Sequence, residues 1–304
     1  MYDIIVIGGG PAGLTAALYA RRANKSVLVI EKASFGGQIT YSPKVENIPG
    51  FLSLTGNEFA EKLVEQVLEQ GADVEAAEVE KVEIADGIKK VTTDCGDVFE
   101  GKTLIIATGA RHRLLGLPNE EKYIGEGISF CAVCDGAFYE GKTVAVIGGG
   151  NSALQEALLL SDLAKKVYVV QNLDFLTGED KLAKQLQERD NIEVILGTVV
   201  KSLEGGDELT GITITEEKTG KDTLLTVDGM FIAIGLVPQN EIFAEVIKLD
   251  DRGYAEAGED CITSSLGIFA AGDCRQKRIR QVTTAAADGA IAALAACDYV
   301  DSLR

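Results

Sequence analysis

One pattern occurs twice in this chain, 140 residues apart. In the first copy the apolar run Ile4-Ile5-Val6-Ile7 meets Gly8-Gly9-Gly10-Pro11-Ala12-Gly13; in the second, Val144-Ala145-Val146-Ile147 meets Gly148-Gly149-Gly150-Asn151-Ser152-Ala153. Each glycine turn leads into a helix-like stretch, Leu14 to Ala23 and Leu154 to Ala164. A further apolar strand follows each, Ser26 to Ile30 and Lys166 to Val170. In such a strand-turn-helix-strand unit the first glycine allows the tight turn and the second lets a pyrophosphate approach the backbone. The third position must be small so that helix and strand pack closely, a demand that Ala153 also meets. The helix N-terminus then turns its unpaired N–H groups toward phosphate. Glycine turns also occur without a ligand, but a repeat at fixed offset is far more specific than a lone copy.

Two later segments also resemble one another. Leu104-Ile105-Ile106-Ala107-Thr108-Gly109 and Met230-Phe231-Ile232-Ala233-Ile234-Gly235 are apolar strands ending in a small-x-Gly turn. Pro118 and Pro238 lie just beyond them and read as crossings between domains. The expected fold is therefore α/β, with two Rossmann-like (three-layer ββα) dinucleotide-binding domains, the second inserted into the first. Residues 1–115 and 244–304 form the first domain, and 116–243 the inserted one.

Composition narrows the chemistry. A formal net charge of −18 over 304 residues argues against nucleic acid or an anionic membrane as partner. No apolar run is long enough to cross a bilayer, and the chain opens on a strand-like run rather than a basic, apolar leader, so a cytoplasmic location is expected. Six cysteines are too few and too scattered for a secreted disulfide scaffold. His112 is the lone histidine, which excludes multi-histidine metal sites and leaves proton transfer to carboxylates, thiols, tyrosines or a cofactor.

Only Cys131 and Cys134 are close in sequence, in the block Cys131-Ala132-Val133-Cys134-Asp135-Gly136. This spacing closes a small disulfide ring, and one thiol of such a pair commonly has a lowered pKa. The zinc alternative needs a second Cys/His pair of suitable spacing, which the sequence lacks. No metal is expected. Asp135 reads either as a proton donor to the departing thiolate or as a turn former before Gly136. Cys95, Cys261, Cys274 and Cys297 read as buried small apolar residues.

The two glycine units are not equivalent. Glu31 ends the second strand of the first unit, where an acidic residue binds ribose hydroxyls; the matching residue of the second is Gln171. Gln171 to Asp180 contains three acids and no cation, so a 2'-phosphate would meet negative charge there. The second unit thus reads as a dinucleotide fold without tight pyridine-nucleotide binding, unless backbone contacts alone suffice.

Across nearly its whole length the chain resembles the low-molecular-weight thioredoxin reductases. The matching residues run from Gly8 to Gly13, through Gly36-Gly37-Gln38 and Val45-Glu46-Asn47-Ile48-Pro49-Gly50-Phe51, to Ala107-Thr108-Gly109-Ala110. They continue with Cys131 to Gly136, Gly148 to Ala153, Ala271-Gly272-Asp273-Cys274 and Arg280-Gln281-Val282-Thr283-Thr284-Ala285. The resemblance implies FAD as cofactor, thioredoxin as partner and a homodimer. It implies cofactor contacts from Gly8, Gly10, Pro11, Ala12, Gly13 and Glu31 at the pyrophosphate and ribose. Gln38 and Asn47 would lie along the flavin side, Asp273 would hydrogen-bond the ribityl chain and Gln281 would lie close to the ring, with Gly37, Thr108, Gly109, Gly272, Arg280 and Val282 as further cofactor contacts. Cys134 would face the flavin and Cys131 attack the substrate disulfide.

One departure stands out. Members that use NADPH carry a His-Arg-Arg run, with a further Arg beyond it, where this chain has Gln171, Asn172, Leu173 and Thr177. In this the chain is similar to the ferredoxin-dependent flavin thioredoxin reductases, which implies ferredoxin as electron donor. Arg275, Lys277, Arg278 and Arg280, with Arg111 and Arg113, would then either dock that acidic partner or be solvated. An NADH- or NADPH-fed reductase with an atypical pocket, a dithiol oxidase using oxygen and a flavoprotein redox sensor stay open as alternatives.

Overall fold

The structure is a computed structural model, and it describes residues 1–42 and 44–303. The chain divides into two compact units, Met1–Arg111 with Val237–Arg304, and His112–Leu236. The crossing strands β7 (Ala110–His112) and β16 (Leu236–Pro238) pair as a two-stranded sheet.

The first unit is built on β1 (Tyr2–Ile7), flanked in parallel by β2 (Val27–Glu31) and β6 (Val98–Ile106). Strand β3 (Asp73–Ala76) extends the sheet beyond β2, and β17 (Ile268–Ala270) pairs in parallel with β6. The antiparallel strands β4 (Val79–Ala85) and β5 (Ile88–Thr93) complete it. The alternation of strand side chains divides the core. Ile4 and Val6 pack with helices α1 (Pro11–Arg22) and α6 (Val282–Ser302). Ile5 and Ile7 pack on the other face with Val79, Val82 and Val91 of the antiparallel strands. Both faces are therefore buried, which is why β1 reads as an unbroken apolar run instead of alternating.

The inserted unit repeats this construction. Its parallel sheet runs in the order β11 (Ile192–Ile195), β10 (Lys166–Val170), β9 (Thr143–Ile147), β15 (Gly229–Ile232), β8 (Ile128–Ser129). Val144 and Val146 face α4 (Asn151–Ser161) and α5 (Asp180–Gln187), while Ala145 and Ile147 face the antiparallel sheet of β12 (Thr198–Gly205), β13 (Leu209–Glu216) and β14 (Asp222–Thr226). Each unit is a three-layer Rossmann-like α/β fold, as the repeated pattern leads one to expect. Among the described residues no helix is long and apolar enough to cross a membrane.

Candidate active site

The first glycine turn has the physical features that its sequence demands. Gly8 sits at φ +108°, and a Cβ there would overlap the Ala107 carbonyl. A Cβ at Gly13 would overlap the Gly8 carbonyl, so α1 can start this close to β1 only with glycine at that place. Gly10, by contrast, has nothing nearer than 3.9 Å to a Cβ, which leaves its backbone approachable. It is the N-cap of α1 without any side-chain cap, and Pro11 starts the helix with no amide to satisfy. Ala12 is buried behind this turn. Glu31 closes the turn from the end of β2: Gly9 N donates to its Oε2 at 2.7 Å and Ala33 N to its Oε1 at 2.8 Å.

Around this turn the other expected residues fall into local networks. Gly37 lies at φ +64° beside Gly10, and the Gln38 amide donates to the Ala110 carbonyl at 2.7 Å. Asn47 Nδ2 donates to Gln281 Oε1 at 3.2 Å, joining the loop before α2 (Gly56–Glu69) to the N-cap of α6. Val282 opens that helix and packs beside Val45, Ile48 and Leu54. Thr108 Oγ1 donates to Asn240 Oδ1 at 3.0 Å, and Gly109 follows at φ +70°.

Two residues that the sequence reading missed hold this region. Asn240 is almost fully buried, and its Nδ2 donates to the carbonyls of Gly253 (2.9 Å) and Cys274 (2.7 Å), so one amide ties together three chain segments. Asp288, on α6, accepts from Gly272 N at 2.9 Å, Arg275 Nε at 2.9 Å and Nη2 at 2.8 Å, and Lys277 Nζ at 2.8 Å. Burial alone would raise its pKa; the hydrogen bonds from Arg275 and Lys277 outweigh that and hold it low. Nothing local in the sequence marks either residue, since their partners lie between 11 and 132 positions away. Gly272, at φ +80°, cannot carry a Cβ without crowding Ala12. The turn thus presents Asp273, whose Oδ1 is buried with no hydrogen-bond partner among the described residues and whose pKa burial pushes up. Arg280 stacks its guanidinium over Tyr254 at 4.6 Å, with its Nε likewise buried and unpartnered.

Two expectations need correction here. Arg275 is 1% exposed and Lys277 has its side chain packed away, so neither belongs to a solvated or docking patch. They neutralise Asp288, because a buried carboxylate must be paired. Of that group Arg111, Arg113 and Arg278 are exposed. Cys95 is also exposed, in the turn between β5 and β6, whereas Cys261, Cys274 and Cys297 are buried as expected. Cys274 is sealed in the core with its thiol pushed up to about 11 by burial, and so is no redox partner.

In the inserted unit Cys131 and Cys134 form a disulfide, with their Cα atoms 5.3 Å apart. Cys131 caps the short helix α3 (Ala132–Asp135), and Cys134 N donates to its sulfur at 3.2 Å. An N–H aimed at sulfur favours the thiolate once the bond opens. Asp135 Oδ2 accepts from Ser129 Oγ at 2.6 Å, and Ser129 Oγ accepts from Cys131 N at 3.1 Å. Burial outweighs that serine bond and raises the Asp135 pKa. His112 stacks on Phe130, and burial drops it to about 4, so it is neutral and takes no part in this network.

The second glycine turn differs from the first in what lies against it. Gln171 is buried beside Gly149, where Glu31 meets Gly9 in the first copy. Thr177 N and Gly178 N both donate to the Gly149 carbonyl, at 2.8 and 2.9 Å. Glu179 N donates to Asn151 Oδ1, and Asn151 Nδ2 donates back to Glu179 Oε1. A carboxylate therefore sits beside the N-terminus of α4, and the nearby Asp174 is already neutralised by Lys218 at 2.7 Å.

Comparison with known proteins accords with this geometry. Residues 2–289 match the family model described as pyridine nucleotide-disulphide oxidoreductase. The chain is 40% identical over 299 residues to a 34.2 kDa protein in the rubredoxin operon of Clostridium pasteurianum, covering 98% of this chain and 97% of that one. It is 38% identical to the thioredoxin reductase of Bacillus subtilis, covering 100% of this chain and 96% of the relative. A crystal structure of thioredoxin reductase from Streptococcus pyogenes superposes with a TM-score of 0.94 at 41% identity, covering 99% of each chain. FAD is the cofactor of such proteins, and the residues present fit it. An open glycine turn faces a helix N-terminus, an acid lies at the end of β2, and a buried Asp273 oxygen lacks a donor. The chain belongs to the pyridine nucleotide-disulphide oxidoreductase family of FAD-binding proteins.

Proposed function

We propose that this chain is a thioredoxin reductase whose Cys131–Cys134 dithiol reduces the disulfide of a thioredoxin, with ferredoxin rather than NADPH as the electron source. The observation that carries the first part is the closed Cys131–Cys134 disulfide followed by a half-buried aspartate, in a chain that aligns end to end with relatives named thioredoxin reductase.

FAD, when bound, supplies the electron pair that opens the Cys131–Cys134 disulfide, and a flavin can collect that pair one electron at a time. Gly8, Gly10, Pro11, Ala12 and Gly13 would take the pyrophosphate, and Glu31 the ribose. Gly272 and Asp273 would take the ribityl chain, leaving Gly37, Gln38, Asn47, Thr108, Gly109, Arg280, Gln281 and Val282 around the flavin. Cys131, whose sulfur accepts the Cys134 N–H, is the better placed thiolate to attack thioredoxin. That attack forms a mixed disulfide and expels one thioredoxin sulfur as thiolate. Cys134 then attacks the Cys131 sulfur of that mixed disulfide, and the second thioredoxin sulfur leaves as thiolate. The Cys131–Cys134 bond is restored and two electrons have moved. Asp135, whose pKa burial raises, is the proton source for a departing thiolate. Changing either cysteine to serine should abolish disulfide reduction while leaving the protein yellow; a colourless variant would show the pair to be structural instead.

The donor rests on the second glycine turn. Gln171 stands in place of an acid, Asn172, Leu173 and Thr177 offer no cation, and the Glu179 carboxylate is tied beside α4. The missing acid removes a partner for ribose hydroxyls, and the missing cations with the Glu179 carboxylate disfavour a 2'-phosphate. An intact Gly148–Ala153 fingerprint favours the second reading, an NADPH-fed reductase. Anaerobic titration separates the two: reduced ferredoxin should bleach the flavin, and micromolar NADPH should not. A homodimer is part of the proposal, and light scattering should give twice the chain mass.

A further inference from the structure

The Ser129–Asp135 network behind the redox pair has a second carboxylate beside it. Glu156 lies on α4, the helix against which α3 and the following turn Gly136–Tyr139 pack. Its Oε2 is buried without a hydrogen-bond partner among the described residues, and so is Asp135 Oδ1. Glu156 nonetheless keeps partial exposure to solvent, whereas Ser129, on the Cys131 side of Asp135, is buried. Glu156 is thus partly open to water and near enough to Asp135 to feel its charge.

Two neighbouring carboxylates, each with an undonated buried oxygen, do not both ionise readily at neutral pH. Burial first, and the charge of Asp135 second, push Glu156 up to about 8. The elements packed on α4 carry other titratable groups: Tyr139 after α3, Lys166 and Tyr168 on β10, and Asp180, Lys181 and Lys184 on α5. None of these acts appreciably on Glu156, and only Asp135 does.

We propose that Glu156 is a positioning residue that shares a proton with Asp135 and resupplies it from solvent during thiol–disulfide exchange. This rests on the dithiol reading above. Opening a disulfide leaves a thiolate; the shared proton passes to that sulfur through Asp135, and solvent returns a proton to the pair through Glu156. Charge balances at every step, and no oxidant or reductant is needed beyond the exchanging disulfide.

The test uses FAD-loaded protein reduced with dithionite and mixed with oxidised thioredoxin in a single turnover, over the pH range in which both carboxylates titrate. The wild-type rate should fall as pH rises through about 8. Glu156→Gln should remove that limb and slow exchange by roughly tenfold, at the low end of general acid–base contributions. Superimposable profiles for the two proteins would overturn the proposal. Difference infrared spectroscopy of the wild type at neutral pH should show a protonated, desolvated carboxylic acid, and its absence would also overturn it, even if the variant failed to fold. A wild-type protein that is reduced yet transfers nothing to any disulfide would defeat the dithiol reading itself, a result distinct from unchanged pH dependence.

Discussion

Single residues decide the chemistry, and the most informative are those the sequence does not flag. Cys131 and Cys134 were legible because their spacing is local and no other two of the six cysteines lie so close in sequence. Asp288 was not, because its meaning is a set of long-range partners: Gly272, Arg275 and Lys277. Asp288→Asn should destabilise the fold by about 3 kcal/mol at neutral pH, since it strands two buried cations. Chemical denaturation checks this. The folded-state pKa of Asp288 lies below its ordinary value, so its stabilisation is present above the usual carboxylate range and is lost as pH falls through the lowered value. The gap between wild type and Asp288→Asn should therefore close in acid. The same contacts explain why a run of basic residues, read along the chain as surface, lies partly in the core: a charge is buried when its counter-charge is buried with it.

At the scale of elements, α1 and α6 pack through small side chains, Ala12, Ala16, Ala17 and Ala20 against Ala285, Ala292, Ala293 and Ala296. Gly289 marks the closest approach, where a Cβ would overlap the Ala12 carbonyl. Gly289→Ala must push α6 off α1, costing about 1–3 kcal/mol of strain. Because α1 opens at the glycine turn and α6 at Gln281, the shift should also lower flavin content. A melting curve and the flavin-to-protein absorbance ratio report the two effects. The elements themselves were easy to foresee: β1 with α1, and β9 with α4, follow from apolar runs that end in glycine. The second β layer was expected, but the segments β12, β13 and β14 that form it were not located, since short polar-faced strands carry a weak periodic signal.

For the molecule as a whole, the proposed entry of electrons from ferredoxin rests on the second glycine turn. Putting arginine at both Asn172 and Leu173 should tighten NADPH binding by about tenfold, the order expected for one charge-assisted contact. Isothermal titration measures it, and no change would show that the Glu179–Asn151 tie, rather than missing cations, governs the site. The sequence by itself determined the repeated α/β unit, the glycine turn suited to a dinucleotide and the redox pair, because each depends on neighbours within a few positions along the chain. Only the tertiary structure decided that Asn240 and Asp288 brace the turn bearing Asp273, that Arg275 and Lys277 are interior, and that Glu156 stands beside Asp135. Those relations exist only once distant segments are packed, where loss of water turns a buried carboxylate or amide from a solvated group into one that must find a partner.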